Sequence, residues 1–103
     1  MKYSLVVTEA AQSELEKIAD YISDSLCNPI AAVNFLDKVK SCYTTLSETP
    51  LIYQVCENIG NGDKEYRKVV INNYLLIYRV DDNSKTVYVL HFFYGRRDYF
   101  DII

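Results

Sequence analysis

The chain has 103 residues, 50% hydrophobic and 24% charged, with a formal net charge of −3 and a sequence pI near 5.0. That profile predicts a single globular domain over residues 1–103, able to bury roughly two thirds of its unfolded surface without a disulfide or a metal. An acidic balance excludes a general nucleic-acid binder, because proteins that neutralise many phosphates are normally basic overall.

The charge is unevenly placed. Residues 1–50 carry 4 Lys/Arg against 7 Asp/Glu, whereas residues 51–103 carry 7 against 7 and hold all the arginines: Arg67, Arg79, Arg96 and Arg97. A local cationic surface on an acidic body is therefore expected in the second half. Cys27, Cys42 and Cys56 are odd in number and lack CxxC spacing. They read as free, mostly buried thiols in a reducing compartment, with neither metal nor cofactor. The start shows no basic segment followed by an apolar one, and no stretch reaches ~18 apolar residues, so the expectation is a cytoplasmic protein without membrane contact.

In chain order, Lys2 to Val7 reads as a strand, with Leu5 to Val7 too apolar for an exposed edge. Thr8 is a good N-cap, and Ala11, Leu15, Ile18, Ala19, Ile22 and Leu26 follow as one helical stripe. Asn28-Pro29 stops that helix and starts the next, whose stripe is Ala32, Phe35, Leu36, Val39, Cys42, Tyr43 and Leu46. It ends near Thr49-Pro50. So short a break predicts an antiparallel helical hairpin. Leu51 to Cys56 is an extended segment, and Glu57 to Glu65 a polar, Gly-containing loop. Strands are predicted at Tyr66–Ile71, Tyr74–Val80 and Thr86–Phe93, with Asn72-Asn73 as a two-residue hairpin turn tolerant of positive φ. The sum is an α+β domain: an N-terminal strand, then a helical hairpin packed on a small, mainly antiparallel, twisted sheet.

This order of elements, with Tyr66-Arg67, Asn73-Tyr74, Ile77-Tyr78-Arg79-Val80, Val87, Val89-Leu90 and Gly95-Arg96-Arg97-Asp98, resembles the RelE/ParE superfamily of bacterial toxins over nearly the whole chain. The resemblance implies the toxin of a type II toxin–antitoxin pair, neutralised by a cognate antitoxin protein. It implies one of two actions. RelE-like members cleave mRNA in the ribosomal A site, while ParE-like members poison DNA gyrase.

Metal-independent RNA cleavage needs a base for the 2′-OH, an acid for the leaving oxygen, and cations against the developing charge. RelE-like toxins resemble one another in supplying a basic loop, an Arg on the middle strand, a late Arg and a later Tyr or His. On this chain the middle-strand Arg falls at Leu75, the loop offers only Lys64, Arg97 matches the late Arg, and the later Tyr falls at Ile103. The ParE-like branch, a gyrase-poisoning growth inhibitor of the kind used in plasmid stabilisation, is therefore the nearer one. A ribosome-dependent endoribonuclease acting on mRNA and a detoxified binding module stay open as alternatives.

No catalytic residue is assigned outright. For a ribonuclease the set is His91, Tyr94 and Arg97, since imidazole titrates near neutral pH, although a lone His on an apolar strand more often packs or caps. The target-binding set is Arg67, Arg79, Tyr94, Arg96, Arg97 and Tyr99. Tyrosine number 10, and Trp is absent; Tyr suits half-buried sheets and interfaces equally. Arg96 and Arg97 have a plainer alternative in pairing with Asp98 and Asp101. The acidic residues of the first helix, Glu9, Glu14, Glu16, Asp20 and Asp24, read as a solvated face.

Overall fold

The computed structural model describes residues 2–56 and 65–95. The order is β1 (Ser4–Val7), α1 (Glu9–Asp20), a π-helical turn (Tyr21–Ser25), α2 (Pro29–Glu48), β2 (Gln54–Cys56), β3 (Tyr66–Ile71), β4 (Tyr74–Asp81) and β5 (Thr86–Tyr94). Both helix starts are set by side chains that accept otherwise unpaired backbone N–H groups. Thr8 Oγ1 accepts from the Ala11 N–H at 3.2 Å, and Asn28 Oδ1 accepts from the Ala31 N–H at 3.1 Å, with Pro29 opening α2.

The first helix departs from the expected stripe at its end. Beyond Asp20 the turn widens, with the Leu26 N–H bonding the Tyr21 carbonyl at 3.0 Å. A π-turn spaces residues differently from an α-turn, so Leu26 falls off the stripe that holds Leu15 and Ile22 and stands 54% exposed.

The five strands lie in the order β1-β5-β4-β3-β2; β1 runs parallel to β5 and the other pairs are antiparallel. This corrects the reading of Leu5 to Val7 as unsuited to an edge, since β1 is the outer strand. Leu5 and Val7 point into the core under the helices, and Val6 alone of the three faces outward. The β3–β4 hairpin turns at Asn72-Asn73, and only Asn72 of the two takes a positive φ, 56°.

The helices cover one face of the sheet. Ala11, Leu15, Phe35, Val39 and Leu46 pack there on Val69, Leu76, Tyr78, Val87, Val89 and Phe92. Cys56, Leu75, Ile77 and Phe93 form a second, smaller cluster on the opposite face. β4 is thus buried on both sides, which is why Leu75-Leu76-Ile77-Tyr78 reads as an unbroken apolar run. Each such side chain contributes about 1.5–3 kcal/mol by leaving water.

Candidate functional site

Four of the seven residues picked from the sequence, Arg67, Arg79, His91 and Tyr94, fall within the described segments, whereas Arg96, Arg97 and Tyr99 lie outside them, as do Lys64 and Ile103. The four do not converge.

Arg67 lies on the helix-covered face, opposite Tyr78 in the β3–β4 register. Its guanidinium donates to the Tyr53 carbonyl at 2.7 Å, the Leu51 carbonyl at 3.3 Å and Glu65 Oε1 at 2.6 Å. The Tyr78 hydroxyl, itself buried, donates to the Pro50 carbonyl at 2.5 Å. Burial pushes the Tyr78 phenol up, against the opposing pull of Arg67. Together the two side chains fasten the chain between α2 and β2, so the side chain of Arg67 is only 14% exposed. A guanidinium pinned by three acceptors serves the fold before it serves a partner.

Arg79 lies on the opposite face. Its guanidinium carbon stands 4.8 Å from the centre of the Tyr88 ring. Leu75, on the same strand and face, is 5% exposed within the Cys56–Ile77–Phe93 cluster. Leu75, the residue that the sequence resemblance sets against the middle-strand Arg of RelE-like toxins, is thus a buried aliphatic side chain in an apolar patch.

His91 shares this face, pairing with Ile77 and stacking on Phe93 at 5.2 Å between ring centres. Its orientation comes from a residue the sequence reading placed on a solvated face. β1 stops at Val7, Thr8 closes off β5 by donating to Val89 and Leu90 carbonyls at 3.0 and 3.1 Å, and β5 then runs on past a bulge. Glu14 of α1 fills the gap, its Oε1 accepting the Phe92 N–H at 3.1 Å and meeting His91 Nδ1 at 3.1 Å. The side chain of Glu14 is 29% exposed and that of His91 30%. Nothing in the helical spacing of Glu14 announced this; it follows from where β1 ends.

Tyr94 pairs with Tyr74 and so faces the helix side, away from His91. The two tyrosine rings meet edge to face at 5.8 Å, and Tyr74 in turn lies 5.3 Å from Phe35. Lys17, Ile18 and Tyr21 complete a notch of about 430 Å³ around this pair. A second groove, of about 510 Å³, runs between α2 and β3 and is lined among others by Lys38, Cys42, Tyr53 and Val70. Burial pushes the Cys42 thiol up to about 11, with the Tyr53 hydroxyl opposing. Lys38 Nζ donates to Asn72 Oδ1 at 2.7 Å beside this groove.

Among the described residues no three or more His, Cys, Asp or Glu side chains gather as a metal site, and no helix is long and apolar enough to cross a membrane. Chemically, the described surface offers recognition features: an aromatic notch, a groove beside a strand edge, and an apolar face rimmed by Arg79, Tyr88 and His91.

A strand, a helical hairpin and a mostly antiparallel sheet in this order define the RelE/ParE-like α+β fold. Solved structures that share it include three toxin–antitoxin systems. The chromosomal ParDE system from P. aeruginosa superposes with a TM-score of 0.69 at 17% identity, covering 90% of this chain and 96% of that one. The RelBE2 complex from Mycobacterium tuberculosis gives 0.60 at 21%, covering 91% and 99%. The RelE–RelB complex from Pyrococcus horikoshii gives 0.61 at 18%, covering 94% and 99%. At these identities the likeness is one of fold. No curated protein matches the sequence. The family model of the ParE toxin of the type II toxin–antitoxin system parDE matches residues 5–99. The chain belongs to that family, and so to the toxins of type II toxin–antitoxin systems.

Proposed function

We propose that this toxin acts as a single cytoplasmic domain that arrests growth by binding and poisoning DNA gyrase, without cutting RNA, and that a cognate antitoxin neutralises it. The observation that carries the reading is Leu75. It is 5% exposed beside Ile77 and Phe93, at the position that the resemblance sets against the middle-strand Arg of RelE-like members. Phosphorane charge needs preorganised cationic donors, and an aliphatic cluster supplies none. Membership of the ParE family supports the same branch. In this reading Arg79 and Tyr94, with Arg96, Arg97 and Tyr99 of the following segment, contact the target. Arg67 contributes by holding the loop before β2.

The antitoxin part draws on the solved relatives, which are toxin–antitoxin complexes, and on an open strand edge. β2 pairs with β3 only as far as Lys68, so among the described residues no strand continues beside Val69–Ile71. An extended partner segment can pair with such an edge.

A second reading, the ribosome-dependent ribonuclease, draws on the Glu14–His91 contact, which orients an imidazole on the open face. One experiment separates the two. Inducible expression in the absence of antitoxin is expected to accumulate gyrase–DNA cleavage complexes and induce the SOS response while mRNA stays intact. Cleaved mRNA on purified ribosomes, lost in Arg97→Ala, would replace the gyrase reading with the ribonuclease one. Undisturbed growth at high expression would favour a detoxified module.

A further inference from the structure

The carboxylate of Glu14 does two separate jobs. Its Oε1 accepts the Phe92 N–H at 3.1 Å and meets His91 Nδ1 at 3.1 Å, so one oxygen serves the backbone and the imidazole together. Capping the Phe92 amide completes β5 where β1 has stopped, and a carboxylate does that whatever side chain stands at position 91. The contact with the imidazole adds nothing to strand pairing. It orients a ring.

Three restraints act on that ring. The backbone of His91 pairs with Ile77, just past the irregularity in the β4–β5 register. Its face stacks on Phe93 at 5.2 Å with the planes 15° apart. Its Nδ1 is held by Glu14. A carboxylate only accepts, so it assigns the ring proton to Nδ1 and leaves a lone pair on Nε2. Among the described residues Nε2 has no hydrogen-bond partner, and the side chain stays 30% exposed. Restraining a side chain costs rotamer freedom, and here the fold gains no contact at Nε2 in return. Such preorganisation is repaid when a partner binds.

Arg79 lies on the same sheet face, two residues along β4 from Ile77. Its guanidinium only donates, whereas Nε2 of the neutral imidazole accepts, so the two groups ask opposite things of a partner. A nucleic-acid backbone cannot meet both, because phosphodiester oxygens only accept. A protein surface can, with a carboxylate or carbonyl for Arg79 and an N–H or O–H for Nε2.

We propose that His91 is a recognition residue for the target, its Nε2 accepting a hydrogen bond from an N–H or O–H group of the gyrase protein, and that Glu14 is its positioning residue. The inference rests on the gyrase reading above and deepens it. His91 joins Arg79 in the contact surface, and what this face reads is protein rather than DNA.

The test uses the full chain, made by cell-free synthesis, and purified DNA gyrase without DNA. Heteronuclear NMR of the imidazole is expected to find the ring proton on Nδ1. Glu14→Gln, whose amide nitrogen can donate where the carboxylate accepted, is expected to move that proton to Nε2. It should weaken gyrase binding about three- to tenfold, the worth of one neutral hydrogen bond. His91→Asn keeps a donor towards Glu14 but has no atom at the place of Nε2, so the same loss of affinity is expected at the wild-type urea midpoint. His91→Gln returns a polar atom to that place and should recover part of the affinity. A ring proton on Nε2 in the wild type overturns the role of Glu14 and the inference with it. So does a loss of binding that only follows loss of folded protein, or binding that requires added DNA. If Arg79→Met weakens binding while His91→Asn and Glu14→Gln do not, the inference falls and the gyrase reading stands. Failure of the wild-type protein to bind gyrase under any condition overturns both.

Discussion

The two faces of the sheet are built from the same strands and differ in what encloses them. Under the helices, Leu76, Tyr78, Val87 and Val89 are fully buried and enclosed by side chains from α1 and α2. On the other side a cluster of Cys56, Leu75, Ile77 and Phe93 sits within a rim of Arg79, Tyr88 and His91. The first face is a core that any member of this fold requires. The second is left open by the helices, and its centre is apolar. One strand, β4, shows the contrast residue by residue, because alternate side chains serve opposite faces.

The largest expected effect separates adjacent leucines. Leu76→Ala should cost about 4–5 kcal/mol and Leu75→Ala about 2–3 kcal/mol, since a large, tightly enclosed cluster collapses less into a cavity than a small one near the surface. Urea denaturation of both variants reads the difference. Equal costs would mean that the open face is as much a structural core as the covered one. Next in size is Glu14→Ala, which leaves the Phe92 N–H unpaired at the end of β1 and should cost about 1–3 kcal/mol. Glu14→Gln keeps an acceptor and should cost less. If His91→Ala matches Glu14→Ala in cost, the imidazole rather than the amide is what Glu14 stabilises.

The covered face was largely legible in the sequence and the candidate sites were not, for physical reasons. A stripe such as Ala32, Phe35, Val39, Cys42 and Leu46 repeats with the helix, so its burial is written in the spacing. Thr8 and Asn28 act locally, within three residues, and were likewise readable. Leu26 was misplaced because nothing in the residues near Tyr21 marks a π-turn. The contact of Glu14 with His91 spans 77 positions and depends on where β1 stops, which no periodicity encodes. Arg67 and Arg79 look equivalent in sequence, each beside a strand end, but their positions in the pleat send them to opposite faces. Tyr21 and Lys17 met Tyr94 only through tertiary packing.

A smaller, pH-dependent effect belongs to the covered face. Burial raises the Cys42 thiol from 9.0 to about 11, and the Tyr43 phenol, by burial first and Cys42 second, from 10.0 to about 12. Folding thus keeps protons that the unfolded chain releases. The stability these groups contribute is whole below pH 9.0 and is lost as pH rises through about 11 and then about 12. Urea midpoints should decline over that window, and Cys42→Ala should flatten the lower part of the decline. By the same logic Cys42 alkylates slowly in the native protein, whereas the exposed Cys27 reacts readily.

The smallest change in stability should accompany the clearest change in function. Arg67→Met removes donors to the Tyr53 and Leu51 carbonyls and to Glu65, and should cost about 1.5–3 kcal/mol. Arg79→Met loses its place over the Tyr88 ring, about 0.5–1 kcal/mol, and a weak attraction to Asp81. If the open face meets the target, Arg79→Met should nevertheless relieve growth arrest at unchanged protein abundance. Arg67→Met should relieve it only in proportion to the folded protein lost. Measuring colony survival against soluble toxin level separates the two arginines. Arg79→Met cells that die as readily as the wild type would move target recognition off this face, towards Tyr94 and the end of the sheet.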